Sequence, residues 1–193
     1  METIKIKHRE FEILERLSEK TLKLARKGKI YFAKVFKDDK NAYEDFIYAK
    51  KHIYLSGVST PKLLYADKKI LTVVCEYIEG VSILDLLIKG DLDDRYYEQI
   101  FSNSFFAKME RINLDYSPEY WVVSNDKLYY LETIMMPFKK EESFTERYIK
   151  LWFYTKELAA HLNDLGLPSD SSRFKQEYAI NKEIVLKTCK YYR

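Results

Sequence analysis

The chain has 193 residues, 47% of them hydrophobic and 33% charged, which suits one folded domain or two small lobes and excludes wholesale disorder. Its formal net charge of +3 is unevenly spread. Lys and Arg dominate residues 1–40 and 171–193, while Asp and Glu dominate 41–170, so the basic ends could meet nucleic acid, acidic lipid or an acidic partner. No RNA-binding aromatic signature accompanies that charge, and solvated lysines explain it more simply.

Two cysteines, Cys75 and Cys189, form neither a disulfide framework nor a zinc spacing. The opening METIKIKHREFE lacks the apolar core of a signal peptide, and no apolar run approaches membrane-spanning length. Together these predict a cytoplasmic protein.

In chain order, FEILERLSE, KTLKLARKG and KIYFAKVFK read as an antiparallel meander, with Lys27-Gly28-Lys29 as a hairpin turn, although FEILERLSE alone suits helix or strand. NAYEDFIYAKKHIYLSG has the spacing of a helix, with Asn41 as a candidate N-cap and Gly57 near its stop. PKLLYAD and KKILTVVCEYI then read as two more strands. This predicts an α+β chain whose first part, residues 1–79, holds five antiparallel strands and one helix inserted after the third.

A boundary falls near Glu79-Gly80. The second part, residues 80–193, reads as mostly helical: SILDLLIKG is a short helix, and DDRYYEQIFSNSFFAKMERI a longer one begun at Asp93 or Asp94. Two short strands, WVV and KLYYLE, join through Ser124-Asn125-Asp126. FTERYIKLWFYTKELAAHLNDLG and the stretch 171–192 are helical in period, and Met135-Met136-Pro137-Phe138 reads as an apolar packing segment.

Several of these pieces, taken in order over residues 10 to 165, resemble the protein-kinase-like superfamily and its small atypical members. YFAKVFK is similar to the strand that presents a lysine, here Lys34, to nucleotide phosphates. The resemblance implies a carboxylate partner for Lys34 on the next helix, Glu44 or Asp45, with Glu44 preferred for its reach. LTVVCEYIEGVSILDLL resembles the strand, hinge and first helix of the second lobe. Cys75 would then limit the adenine pocket, and Glu76 and Ile78 would offer backbone groups to the adenine edge.

NLDYSPEYWVVSNDKLYYLE resembles the catalytic loop and the strands after it. Asp115 stands at the position of the residue that orients the acceptor hydroxyl, and Glu132 at that of the Mg²⁺ ligand. The resemblance thus implies a two-lobed fold with a minimal helical C-lobe, ATP and Mg²⁺ as cofactors, and an acceptor or protein partner of unknown identity.

The chain also departs from the family's pattern. Residues 17–26 contain no glycine where a Gly-rich loop belongs, Tyr120 replaces a metal-binding Asn, and Glu132 replaces an Asp. Two functions are therefore expected: an atypical ATP-dependent phosphotransferase, or a catalytically inactive pseudokinase acting as a binding module. His8, His52 and His161 are scattered and form no metal-ligand pair.

Overall fold

The backbone changes direction at Lys27-Gly28 with φ values of 50° and 72°, the left-handed pair that a tight hairpin turn requires. It joins β3 (Thr21–Arg26) to β4 (Lys29–Val35) in antiparallel register, Arg26 facing Lys29. The computed structural model describes residues 2–169, so Cys189 and the helix expected over 171–192 lie outside the described residues. The chain divides into two units: Met1–Leu55 with Thr60–Glu79, and Ser56–Ser59 with the chain from Gly80 onward.

The first unit is a mixed α+β body. Its antiparallel sheet has six strands where the sequence predicts five, in the order β1-β2-β3-β4-β6-β5, with β1 at Thr3–Ile6, β2 at Arg9–Ser18, β5 at Leu63–Asp67 and β6 at Thr72–Glu76. The additional strand, β1, pairs with β2 through a turn at Lys7-His8, whose φ values are 45° and 62°. Neither residue is the Asn or Gly that announces such a turn in a sequence. FEILERLSE is strand, with register shifts between Ile13 and Glu15 and between Arg16 and Ser18.

The sheet curls until its two edge strands approach each other. The Lys7 backbone N–H donates to Asp67 Oδ2 at 2.7 Å, and the Arg9 guanidinium lies 4.4 Å from the Tyr65 ring centroid. Inside the curl, Ile6, Phe11, Leu22, Leu24, Ala33 and Val74 are buried together.

Helix α1 (Lys40–Leu55) follows β4. Asp39, not Asn41, caps it, accepting the Ala42 N–H at 2.9 Å. Its buried face carries Tyr43, Phe46, Ala49, Lys50 and Ile53, the three-and-four spacing of an amphipathic helix.

The second unit contains α2 (Ile83–Lys89) and α3 (Asp94–Met109), preceded by the two-residue strand β7 (Val81–Ser82). Ser82 caps α2 through the Asp85 N–H, and Asp93 caps α3 through the Arg95 N–H. Strand β7 pairs with β9 (Trp121–Ser124), which pairs in turn with β10 (Lys127–Tyr130) across a left-handed turn at Asn125-Asp126.

A further ribbon joins β8 (Ile112–Leu114) to β11 (Met135–Pro137), so the segment read as apolar packing is partly exposed strand. Residues 144–164 are not one helix. A π turn at Phe144–Tyr148 and a 3₁₀ turn at Ile149–Trp152 precede α4 (Lys156–Asp164), capped by Thr155. The expected helical period is interrupted because Tyr148 and Trp152 are buried against an aromatic cluster with Tyr116.

Candidate functional site

In the first unit, Lys34 stands on β4 between Thr21 of β3 and Val73 of β6. Its ammonium lies 5.4 Å from the centroid of the Phe46 ring. No carboxylate pairs with it among the described residues. Glu44 instead forms exposed ion pairs with Lys40 at 3.8 Å and Lys68 at 3.5 Å, contrary to the pairing the resemblance implies. The reason is helical phase: residues two apart on a helix point about 200° away from each other, so when Phe46 faces the sheet, Glu44 faces outward. Asp45 is exposed as well.

Cys75 is fully buried on β6, packed with Phe36, Tyr43, Phe46 and Val73. Burial pushes its thiol up to about 11, an effect that Lys50 and Lys34 partly offset. At the end of β6, the Glu76 N–H donates to the Lys62 carbonyl at 2.9 Å, and its carboxylate accepts the Lys62 N–H at 3.3 Å. Ile78 follows in the segment 77–80, which belongs to no ladder.

Between β2 and β3, the glycine-free segment forms a tight hairpin in which Ser18 faces Thr21. The Lys20 carbonyl there accepts the Val35 N–H at 2.8 Å. That places a braced turn in the segment where the resemblance implies a glycine-rich loop.

In the second unit, Asp115 follows β8 directly and opens an Asx turn. Its Oδ1 accepts the Ser117 backbone N–H at 2.9 Å and the Ser117 hydroxyl at 2.6 Å. The adjoining backbone is held by aromatic donors that sequence reasoning missed. Trp121 Nε1 donates to the Asp115 carbonyl at 3.2 Å, and Trp152 Nε1 to the Tyr116 carbonyl at 2.7 Å. Tyr130 accepts the Asp115 N–H at 3.3 Å and donates to the Ile134 carbonyl at 3.0 Å. The available signal was the fully buried Trp and Tyr themselves, whose N–H and O–H groups require partners.

Strand β10 stops at Tyr130, so Glu132 lies in the connection to β11 and not at the strand end. The pairing of Leu114 with Met135 nevertheless brings the segment carrying Glu132 back alongside Asp115. Tyr120 feels these acids: its phenol is raised by burial first, then by Asp115, Glu119 and Glu132. Tyr130 is raised by burial and further by Asp115 and Glu132, although its hydrogen bond with Asp115 opposes the shift. Glu119 also contacts His161, Oε2 to Nε2 at 3.0 Å.

Among the described residues, no three His, Cys, Asp or Glu side chains converge on a point that could hold a metal. Tyr120 stays a neutral phenol, and one oxygen of Asp115 is committed to its own loop. No helix among the described residues is long and apolar enough to cross a membrane.

No protein-family model matches the chain, and no curated protein matches it.

Proposed function

We propose that the chain is a protein-kinase-like module of two lobes that acts through binding and not through phosphoryl transfer. The observation that carries this reading is the Lys34 ammonium over the Phe46 ring, with Glu44 turned outward to Lys40 and Lys68. Phosphoryl transfer depends on positioned charge. A lysine stacked on an aromatic face is held, but among the described residues no carboxylate orients it.

The kinase-like fold is supported by the sheet that follows β1: five antiparallel strands with α1 inserted after the third of them. It is further supported by the order in which Lys34, Cys75, Asp115 and Glu132 occur. The absence of glycine from residues 17–26 and the phenol at Tyr120 both favour a module without turnover.

One observation favours the alternative, an atypical phosphotransferase using ATP and Mg²⁺. Asp115 and Glu132 both act electrostatically on Tyr120 and Tyr130, so two carboxylates still share one neighbourhood.

Calorimetry with ATP, with and without Mg²⁺, on the wild type and Lys34→Ala separates the two. The binding-module reading expects affinity that Mg²⁺ does not improve and that Lys34→Ala leaves unchanged. Binding tightened by Mg²⁺ and weakened in Lys34→Ala would restore the phosphotransferase and overturn this reading.

A further inference from the structure

A cluster of basic side chains in the first unit lies where the sheet's two edges meet. The turn after β1 supplies Lys7 and His8, and the turn after β5 supplies Lys68 and Lys69. With Lys5 and Asp67 they line a cavity of about 420 Å³. The one acid in that lining is occupied: Asp67 accepts the Lys7 N–H at 2.7 Å and the Lys69 N–H at 3.0 Å, and the Ile70 N–H as well. Lys68 is shared with Glu44 at 3.5 Å. Lys5, Lys7 and Lys69 form no ion pair among the described residues.

We propose that this cavity is a binding site for clustered phosphates, as carried by a compact polyphosphorylated ligand. Three properties argue for it. The cations come from two turns some sixty positions apart in sequence, and the Lys7–Asp67 bond fixes those turns to one another. Backbone N–H groups from both turns hold the internal acid, and although its charge acts on Lys69 it forms no ion pair with a lining lysine among the described residues. The volume, near the lower end of small-ligand pockets at about 300 Å³ and above, admits several phosphoryl groups but no folded partner. Point charges on flexible stems suit a multiply charged anion without demanding planar geometry. The site lies within the first unit and does not depend on the kinase-like reading.

The test uses inorganic tripolyphosphate as the probe, titrated by calorimetry into the full chain. Wild type is expected to bind with an affinity that falls as salt rises. Lys5→Gln/Lys7→Gln/Lys69→Gln, with an unchanged melting temperature, is expected to bind about tenfold more weakly, because each exposed charge contributes little alone and three are lost together. Lys34→Ala should bind as the wild type does.

Flotation with vesicles containing a phosphoinositide bisphosphate distinguishes the sources. Flotation that tripolyphosphate reverses assigns the site to a lipid headgroup, and its absence assigns it to a free ligand; both uphold the clustered-phosphate chemistry. No binding at millimolar tripolyphosphate, or equal binding by the triple variant, would overturn the proposal. So would loss of binding in Lys34→Ala, which would place the phosphates at that lysine. Binding of single-stranded RNA with no competition from tripolyphosphate would overturn it too.

Discussion

Tyr130 holds Asp115 in place through its phenol, accepting the Asp115 backbone N–H at 3.3 Å while donating to the Ile134 carbonyl at 3.0 Å. One side chain thereby closes the gap between β10, β8 and β11. Burial raises this phenol far above the ordinary tyrosine range, so it remains a donor wherever the protein is folded. Tyr130→Phe keeps the ring that lies 4.9 Å from Trp121 but leaves a backbone N–H and a carbonyl without their partner. The expected cost is about 1–3 kcal/mol. Urea unfolding followed by tryptophan fluorescence measures it, and an unchanged midpoint would show that water replaces the phenol without loss.

Gly80 tests the entry to the second unit. A Cβ there would stand 2.2 Å from the Val123 carbonyl oxygen, well inside contact distance and against backbone that cannot swing aside. Gly80→Ala should therefore break the pairing of Val81 with Val123. A loss of about 2 kcal/mol or more is expected, in the range of overpacking effects. Gly28→Ala is the control: its added Cβ meets nothing, so only the left-handed φ of 72° is penalised. Equal melting temperatures for the two variants would contradict the close approach at Gly80.

Cys75 should be chemically silent in the folded protein. With its thiol pushed up to about 11, the reactive thiolate is on the order of one part in a thousand at pH 8. Burial within the cluster of Phe36, Tyr43, Phe46 and Val73 blocks access as well. Iodoacetamide labelling read by peptide mapping should modify Cys75 only in denaturant. Modification under native conditions at a rate above that of global unfolding would show that the cluster opens locally.

The Asp67 carboxyl is held below the usual carboxylate range, first by the Lys7 N–H and then by those of Lys69 and Ile70, with desolvation opposing them. A depressed folded value means that the folded state binds this proton less readily than the unfolded chain does. The stabilisation is therefore present above the ordinary aspartate value of about 3.9 and is lost as pH falls through the folded value. Asp67→Asn should lower stability near neutral pH by about 1 kcal/mol, a shift of a few degrees. It should also flatten the acid limb of a melting-temperature profile. A profile parallel to that of the wild type would remove Asp67 from the acid response.

Much of this fold is written in local pattern. The alternation in KIYFAKVFK and the Lys27-Gly28 turn predict β3 and β4, and Ser82 and Asp93 each stand immediately before the helix they cap. What escaped notice depends on distant partners. Strand β1 is four residues long and turns on Lys7-His8, a pair without the Asn or Gly that marks a tight turn, so the strand depends on the edge it finds at β2. Side-chain length favours Glu44 as the carboxylate for Lys34, whereas helical phase turns Glu44 outward and leaves Phe46 at the lysine. Trp121 and Trp152 support the Asp115 loop across 6 and 36 positions, contacts that no periodicity announces.

The bond between Lys7 and Asp67 also bears on how the first unit comes together. The hairpins from Thr3 to Val35 need only neighbouring residues and can form in microseconds. Closing the curl must wait for a residue sixty positions further on. Until Asp67 and Tyr65 arrive, Arg9 lacks its ring and Phe11 has Tyr31 but not Tyr65 to pack against, and the half-made sheet keeps two open margins. A chain severed after Leu55 would thus yield an N-terminal fragment unable to complete its own interior. Supplying residues 60–79 in trans would be the complement that restores it.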